Sequence, residues 1–461
     1  MIRLTLGEIA QITGGRVVNA EPDLAVTGGV EYDSRKIGPG GLFVAFEGEK
    51  VDGHEYAGRA VAAGAAAVLS TRDTGQPGVV VEEPLAALAA LAQAVVGRLG
   101  ELTVVGLTGS NGKTTTKDYI GQLLARLGPT VAPPGSLNNE LGFPYTVLQA
   151  TEETRFLVLE MGARGIGHIR YLTDIARPSI GAVLNIGAAH LGEFGSVEGT
   201  ARAKGELVEA LPSTGVAVLN ADDPLVAGMA PRTSARVLLV GESEKSDLRA
   251  SDVVVDGAGR ASYSLHFSDK SAEVMLSVAG RHQVANTLAA AGVALSAGLP
   301  FDDVAAALGE VGIASVRRMD VFTRPDGAVV IDDSYNANPS STAAALRALA
   351  SMAGGRRTTA VLGYMAELGE HERSGHEEVG RLAAELGVDR LIAVSAEAAP
   401  VADGAHSVEG WKGEAVVVPD QASAIEILAG GLDGGDVVLV KGSRYRTWDV
   451  VDSLRPEEVR P

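Results

Sequence analysis

The run Val104-Val105-Gly106-Leu107-Thr108-Gly109-Ser110-Asn111-Gly112-Lys113-Thr114-Thr115-Thr116 has the residue types that handle phosphate. An apolar strand breaks into glycines, and Lys-Thr follows. Glycines let the backbone curl until several N–H groups point inward, and the helix that follows presents its positive end. Lys113 supplies a point charge, and the Thr114 hydroxyl can hold Mg2+. This is the chemistry of ATP or GTP binding. The spacing departs from the common phosphate loop, because Leu107 stands five residues before Gly112 and the extra glycines are Gly106 and Gly109. A Gly-rich strand-to-helix turn that binds nothing is the competing reading, and the Lys-Thr-Thr-Thr run counts against it.

Three residues downstream extend that chemistry. Glu160 closes the apolar strand Phe156-Leu157-Val158-Leu159, where an open α/β sheet places ligand residues, and could reach the same Mg2+; alone it would read as a surface Glu. His190 lies just past the strand Ile180 to Leu184, a position where a lone His is most often structural. Lys204 follows, and a cation beside a metal repels it unless its charge is lost or neutralised.

The elements that must position these residues fall into three blocks: 1–83, 84–314 and 315–461. The first is a small α/β unit with a strand over residues 41–46 and an Ala-rich helix from Tyr56 to Gly64. Pro84 opens an apolar helix through Leu99 that leads into the phosphate-loop strand. Strands then alternate with helices at 156–159, 180–184, 216–219 and 237–240, which predicts a mostly parallel sheet covered on both faces. After Arg317-Arg318 a second doubly wound, Rossmann-like series begins, with strands at 328–331, 360–362, 391–394, 415–418 and 437–440. The fold class is therefore α/β in three domains, each long enough to bury its own core.

Composition bounds the rest. The 461 residues carry 39 basic and 58 acidic side chains, a net charge of -19, which argues against a nucleic-acid partner. An anionic substrate must be met by local Lys, Arg and helix ends. No apolar run is long enough to insert in a membrane, and the N-terminus lacks a secretion-signal layout. Without cysteine there are no disulfides or thiolate metal sites, and a cytoplasmic location is the default expectation.

Taken together, residues 108–116, Asn138-Asn139-Glu140-Leu141-Gly142-Phe143-Pro144, Glu160-Met161-Gly162-Ala163, His190-Leu191-Gly192-Glu193-Phe194-Gly195-Ser196 and Lys204-Gly205-Glu206 resemble the Mur ligases in the right order over nearly the whole chain. Asp332-Asp333-Ser334-Tyr335-Asn336-Ala337-Asn338-Pro339 resembles the branch that joins D-alanyl-D-alanine to UDP-N-acetylmuramoyl-tripeptide. The resemblance implies a UDP-sugar-binding first domain, a central ATP-binding domain and an acceptor-binding third domain. It implies ATP with Mg2+, a carboxylate activated by phosphorylation, and an amine that displaces the phosphate.

By the same resemblance, Gly109, Ser110, Asn111, Gly112, Lys113, Thr114 and Thr115 hold the phosphates. Thr114 and Glu160 hold one Mg2+, and His190 helps to hold a second. Lys204 matches a carbamylated lysine, which would turn the unwelcome cation into an anion; an unmodified Lys204 paired with Glu206 or Glu209 on its helix is the alternative. Asn286 matches an adenine contact, and Arg318 and Asp333 approach the nucleotide from the third domain. Ser34, Arg35, Asp52 and His54 resemble a uridine-nucleotide site, although Asp-Ser-Arg is equally a turn. Asn138 and Asn139 face the sugar-peptide, while Tyr335, Asn336, Ser443 and Arg444 join the substrate side, with Lys441-Gly442-Ser443-Arg444 toward the acceptor.

The chain departs from the family pattern at Tyr445 to Trp448, where relatives carry smaller residues or Met, and at Arg164 and His168, where they often have Asn and Glu. Other Mur ligases adding one amino acid are close rivals. A folate polyglutamate ligase usually starts near its phosphate loop, and the first block counts against it. A GTP switch would need an Asn-Lys-x-Asp or Thr-Lys-x-Asp base reader, which is missing. An inactive relative that only binds the nucleotide sugar is opposed by the complete Lys113, Thr114, Glu160, His190 and Lys204 set. A monomer is expected.

Overall fold

The computed structural model describes residues 1–48, 51–187 and 196–456, with Arg444 and Tyr445 described by backbone alone. His190 lies outside the described residues.

The first block holds a five-stranded sheet in the order Arg16–Val18, Gly78–Val80, Ala67–Ser70, Leu42–Val44, Val30–Glu31. The helix expected from Tyr56 to Gly64 is found as Ala57–Ala62, preceded by a 3-10 turn, Gly53–Tyr56, capped by Asp52. Helix α1 (Pro84–Arg98) starts as expected, with Pro84 in its first turn and the Glu83 carboxylate accepting from the N–H groups of Leu85 and Ala86.

This helix does not merely link two domains. Its apolar face, Leu88 and Leu91, belongs to one continuous core that includes Leu6, Ile9 and Leu42 of the first block and Val104, Leu157 and Leu207 of the central one. The first and central domains thus share this core, because a Leu- and Ala-rich helix has apolar residues to offer on two sides, while the first block also keeps a small cluster around Phe43 and Val68 and the third domain buries clusters of its own.

Among the described residues the central sheet has nine strands. Strand β1 (Thr103–Thr108) lies between β2 (Phe156–Glu160) and β3 (Ile180–Val183), parallel to both. The chain leaves β1 to one side, through Thr130–Val131 and β2, and then crosses to β3 on the other, which opens a crevice at the carboxyl end of β1. Parallel pairing continues through Val216–Asn220 and Arg236–Gly241 to Leu248–Val255. The sheet then closes with two antiparallel strands, Arg260–Phe267 and Lys270–Ala279, that the βα alternation did not predict. The alternating burial of Arg260–Phe267 is the period-two signal of a half-covered strand.

Helix α2 (Lys113–Leu124) follows β1 and packs beside α3 (Gln283–Ser296). Among the described residues the third block has six strands, five of them parallel, with β4 (Val329–Asp332) beside β5 (Val437–Lys441) and an antiparallel edge strand at Asp320–Thr323. Helix α4 (Pro339–Ala353) leaves this sheet with its N-terminus toward the crevice, since Asn338, Ser340 and Ser341 share a cavity with the phosphate loop.

Candidate active site

The crevice is a cavity of about 870 Å³ between the central and third domains. Its floor is the phosphate loop. Gly112, at φ +80°, occupies the left-handed region that starts α2, and a Cβ there would lie 2.3 Å from Asn286 Oδ1. Glycine is therefore required both by the turn and by Asn286, which is held by Gln283 at 2.9 Å. Ser110, Asn111, Thr114, Thr115 and Asn286 line the cavity, whereas Gly109 acts through its carbonyl, which accepts from Lys113 Nζ at 2.8 Å. Burial pushes the Lys113 ammonium below its ordinary value, Glu160 opposes this, and Arg318 adds to it. An ammonium so placed gains from an incoming polyanion.

At the end of β2, the buried Glu160 carboxylate accepts from Thr114 Oγ1 at 2.9 Å, Ser136 Oγ at 2.7 Å and Asn138 Nδ2 at 2.6 Å. Thr114 and Glu160 thus present adjacent hard oxygen donors. No cluster of three or more His, Asp or Glu suited to a metal occurs among the described residues. That donor set fits Mg2+, which takes one or two protein oxygens and completes its shell with phosphate and water. Asn138, expected on the sugar-peptide side, uses its amide to hold Glu160. Asn139 lines the cavity while its side chain caps the turn at Gly142.

Lys204 enters from the helix Val197–Ala210 and is 2 % exposed. Burial holds its amine well below the usual lysine value, and the Lys113 charge pushes in the same direction. The pairing with Glu206 or Glu209 is not formed. Glu206 accepts from the N–H groups of Gly167 and Arg170 at 2.5 and 3.0 Å, and Glu209 pairs with Arg170 and Arg232. A buried, poorly charged amine is nucleophilic, so Lys204 has the chemistry that carbamate formation needs.

The third domain supplies the opposite wall. Arg318 lies over the Tyr335 ring at 4.2 Å, and its Nε is buried without a hydrogen-bond partner. Asp333 accepts from the buried Lys441 ammonium, which also donates to Asn336 O at 3.0 Å. Tyr335, Asn336 and Lys441 all line the cavity. Ser443 does not: its hydroxyl donates to Ala337 O and accepts from Ala366 N–H, so it braces the loop that follows β5. The Arg444 side chain lies outside the described residues.

At the mouth, the departures Arg164 and His168 both line the cavity. His168 Nδ1 accepts from Arg164 N–H, while Nε2 sits 3.2 Å from Glu140 at an angle that makes no hydrogen bond. Trp448 also lines the cavity and donates to Ser334 O at 2.9 Å.

Ser34, Arg35, Asp52 and His54 are not among the residues lining this cavity. Arg35 turns back onto Asp33, and the Asp33 carboxyl is held well below the usual range by that guanidinium. His54 is buried, with Nδ1 on Asp52 at 2.6 Å and Nε2 accepting from Thr71 N–H at 3.2 Å. Sequence reading missed Ser136, Asn185, Asn338 and Ser340. Only Asn338 carried a local signal, a helix-capping Asn before Pro339.

A phosphate loop at the switch point of a parallel sheet, with a hydroxyl and a carboxylate beside it, defines a P-loop nucleotide-binding protein. Residues 27–95 match the Mur ligase family catalytic domain, 107–294 the Mur ligase middle domain, and 317–444 the Mur ligase glutamate ligase domain. The chain belongs to the Mur ligase family. It is 49% identical to the UDP-N-acetylmuramoyl-tripeptide--D-alanyl-D-alanine ligase of Mycobacterium tuberculosis (strain H37Rv), over 96% of each chain, and 35% identical to that of Escherichia coli (strain K12), over 98% of each. Among solved structures it is similar to MurF from Acinetobacter baumannii, with TM-score 0.86 and 31% identity over 98% of each chain. It is also similar to MurF ligase from Thermotoga maritima in complex with ADP, with TM-score 0.79 and 30% identity over 93% of this chain and 97% of that one.

Proposed function

We propose that the protein is the ATP-dependent ligase that joins D-alanyl-D-alanine to UDP-N-acetylmuramoyl-tripeptide, giving the pentapeptide precursor of peptidoglycan (EC 6.3.2.10). The observation that carries this reading is the agreement with such ligases along essentially the whole chain, at up to 49% identity. The cavity has the parts the reaction needs. The tripeptide's terminal carboxylate oxygen takes the γ-phosphoryl group of ATP, and the bond to ADP breaks. The amine of the dipeptide then attacks the acyl carbon, phosphate leaves with its bridging oxygen, and the amine loses a proton.

This chain's residues bind, orient and neutralise. Lys113 and the N–H groups at the start of α2 hold phosphate oxygens, and Arg318 meets them from the opposite wall. Thr114 and Glu160 hold Mg2+, with Ser136 and Asn138 fixing the carboxylate; the ion offsets the charge that builds up on the phosphates. His190 serves a second Mg2+. Lys204, as its carbamate, lends that region an anion, formed when the neutral amine takes up carbon dioxide and loses a proton. Ser34, Arg35, Asp52 and His54 form the uridine end in the first domain, and the domains divide near residues 83 and 314. The enzyme acts as a monomer in the cytoplasm; no helix among the described residues is long and apolar enough to cross a membrane.

Product mass tests the assignment. Incubation with ATP, Mg2+ and the UDP-tripeptide should add the mass of D-alanyl-D-alanine when the dipeptide is present. Addition of one free amino acid, or of glutamate to a folate, would overturn it.

A further inference from the structure

Asn111, expected to help hold the phosphates, has its N–H, its carbonyl and both ends of its carboxamide bonded to other residues instead. Its main chain is fixed from both sides by Asn185: Asn111 N–H donates to Asn185 Oδ1 at 2.9 Å, and Asn185 Nδ2 donates to Asn111 O at 3.1 Å. Its side chain crosses the cavity. Nδ2 donates to Ser340 Oγ at 2.6 Å, and Oδ1 accepts from Asn338 Nδ2 at 2.7 Å. Both partners sit at the N-terminus of α4, so one carboxamide joins the loop to the third domain through a donor and an acceptor at once.

The linker between the two domains shows where movement is possible. Ser315 is tied to the central domain, its N–H and hydroxyl donating to Asp118 at 2.8 and 3.1 Å. Arg317 is tied to the third: it donates to both Asp452 oxygens at 2.8 and 3.0 Å, stacks over Trp448 at 4.7 Å, and its carbonyl accepts from Tyr335 N–H at 3.1 Å. Between the two anchors stands Val316, 62% exposed. Arg317 and Met319 hold left-handed φ values of 60° and 47°, so the chain turns sharply on either side of Arg318.

We propose that Asn111 is a positioning residue: its side chain latches α4 to the phosphate loop, opposite a hinge at Val316, and so holds the third-domain wall against bound nucleotide. This rests on the reading of the loop as a nucleotide site. The latch sets the separation between Lys113, Glu160 and Lys204 on one wall and Arg318, Asp333 and Lys441 on the other. An Asp at 111 would lose the donor, and Gly or Ala would lose both bonds. Asn338 has a second duty, since its Oδ1 caps α4 by accepting Ser341 N–H at 2.9 Å; a variant that breaks only the latch must therefore keep a capping side chain.

Asn338→Ser with Ser340→Ala does so, because serine caps a helix N-terminus well but is too short to reach Asn111. The double variant and Ser340→Ala alone should melt as the wild type does. The double variant's kcat should fall about tenfold, with the KM for ATP changed less than about threefold, as expected for misplacement rather than lost binding. Small-angle scattering should show wild type compacting with ATP analogue and UDP-tripeptide, and the double variant compacting less. Unchanged kcat, equal compaction, or a rate loss matched by a lower Tm would overturn the latch. Wild-type protein that bound no ATP would instead overturn the loop reading beneath it, and this control comes first.

Discussion

Lys204 concentrates the chemistry at the residue scale. Its amine is held below lysine's ordinary 10.5 by burial, with Lys113 adding to the shift. The unfolded chain therefore binds the proton more tightly, so the contribution of Lys204 to stability rises with pH and levels off only above about 10.5, where the folded and unfolded chains both carry neutral amine. In buffer free of carbon dioxide, Lys204→Met should raise Tm at pH 7, and the gain should shrink as pH approaches 10.5; a gain independent of pH would contradict the burial argument. Lys204→Ala should lose activity that a short carboxylic acid partly restores, and an undiminished variant would remove the carbamate from the account. Lys113→Ala should abolish ATP turnover with the circular dichroism spectrum unchanged, because its ammonium serves the loop rather than the core.

At the scale of elements, Lys204-Gly205-Glu206 shows why a motif is more than its reactive residue. Lys204 reaches into the cavity, while Glu206 caps the helix His168–Ile175 that carries His168. Gly205 leaves room for Arg232, since a Cβ there would lie 1.9 Å from Nη1 of a guanidinium that donates to Ala201 O and Arg202 O. Gly205→Ala must displace that guanidinium or the helix, at about 1–3 kcal/mol. Urea melts would report the cost, and a stability within experimental error of wild type would show that Arg232 yields freely.

Elements with a strong local signature were legible in the sequence. Glycines beside Lys-Thr, β-branched runs and Pro84 marked the loop, the parallel strands and α1. The antiparallel pair at 260–279 escaped because polar residues interrupt its apolar ones at every second position, leaving no continuous apolar run. Partners such as Ser136 on Glu160, or Ser340 on Asn111, were invisible because they join segments 24 and 229 residues apart through single side chains.

For the whole molecule, the shared core makes α1 part of the first domain's stability as well as the central domain's. A fragment ending at residue 83 leaves Leu6 and Ile9 without Leu88 and Leu91, and should show no cooperative melt. A cooperative transition there would mean that the first domain holds its own core after all. The same scale sets the central claim, since one cavity between two domains must couple phosphate release to amide formation. The direct measurement is phosphate released from ATP with Mg2+ and UDP-N-acetylmuramoyl-tripeptide, with and without D-alanyl-D-alanine. The account predicts sustained release only with both substrates, one phosphate for each pentapeptide formed. Release that ignored the dipeptide, or a dipeptide that yielded no pentapeptide, would contradict it.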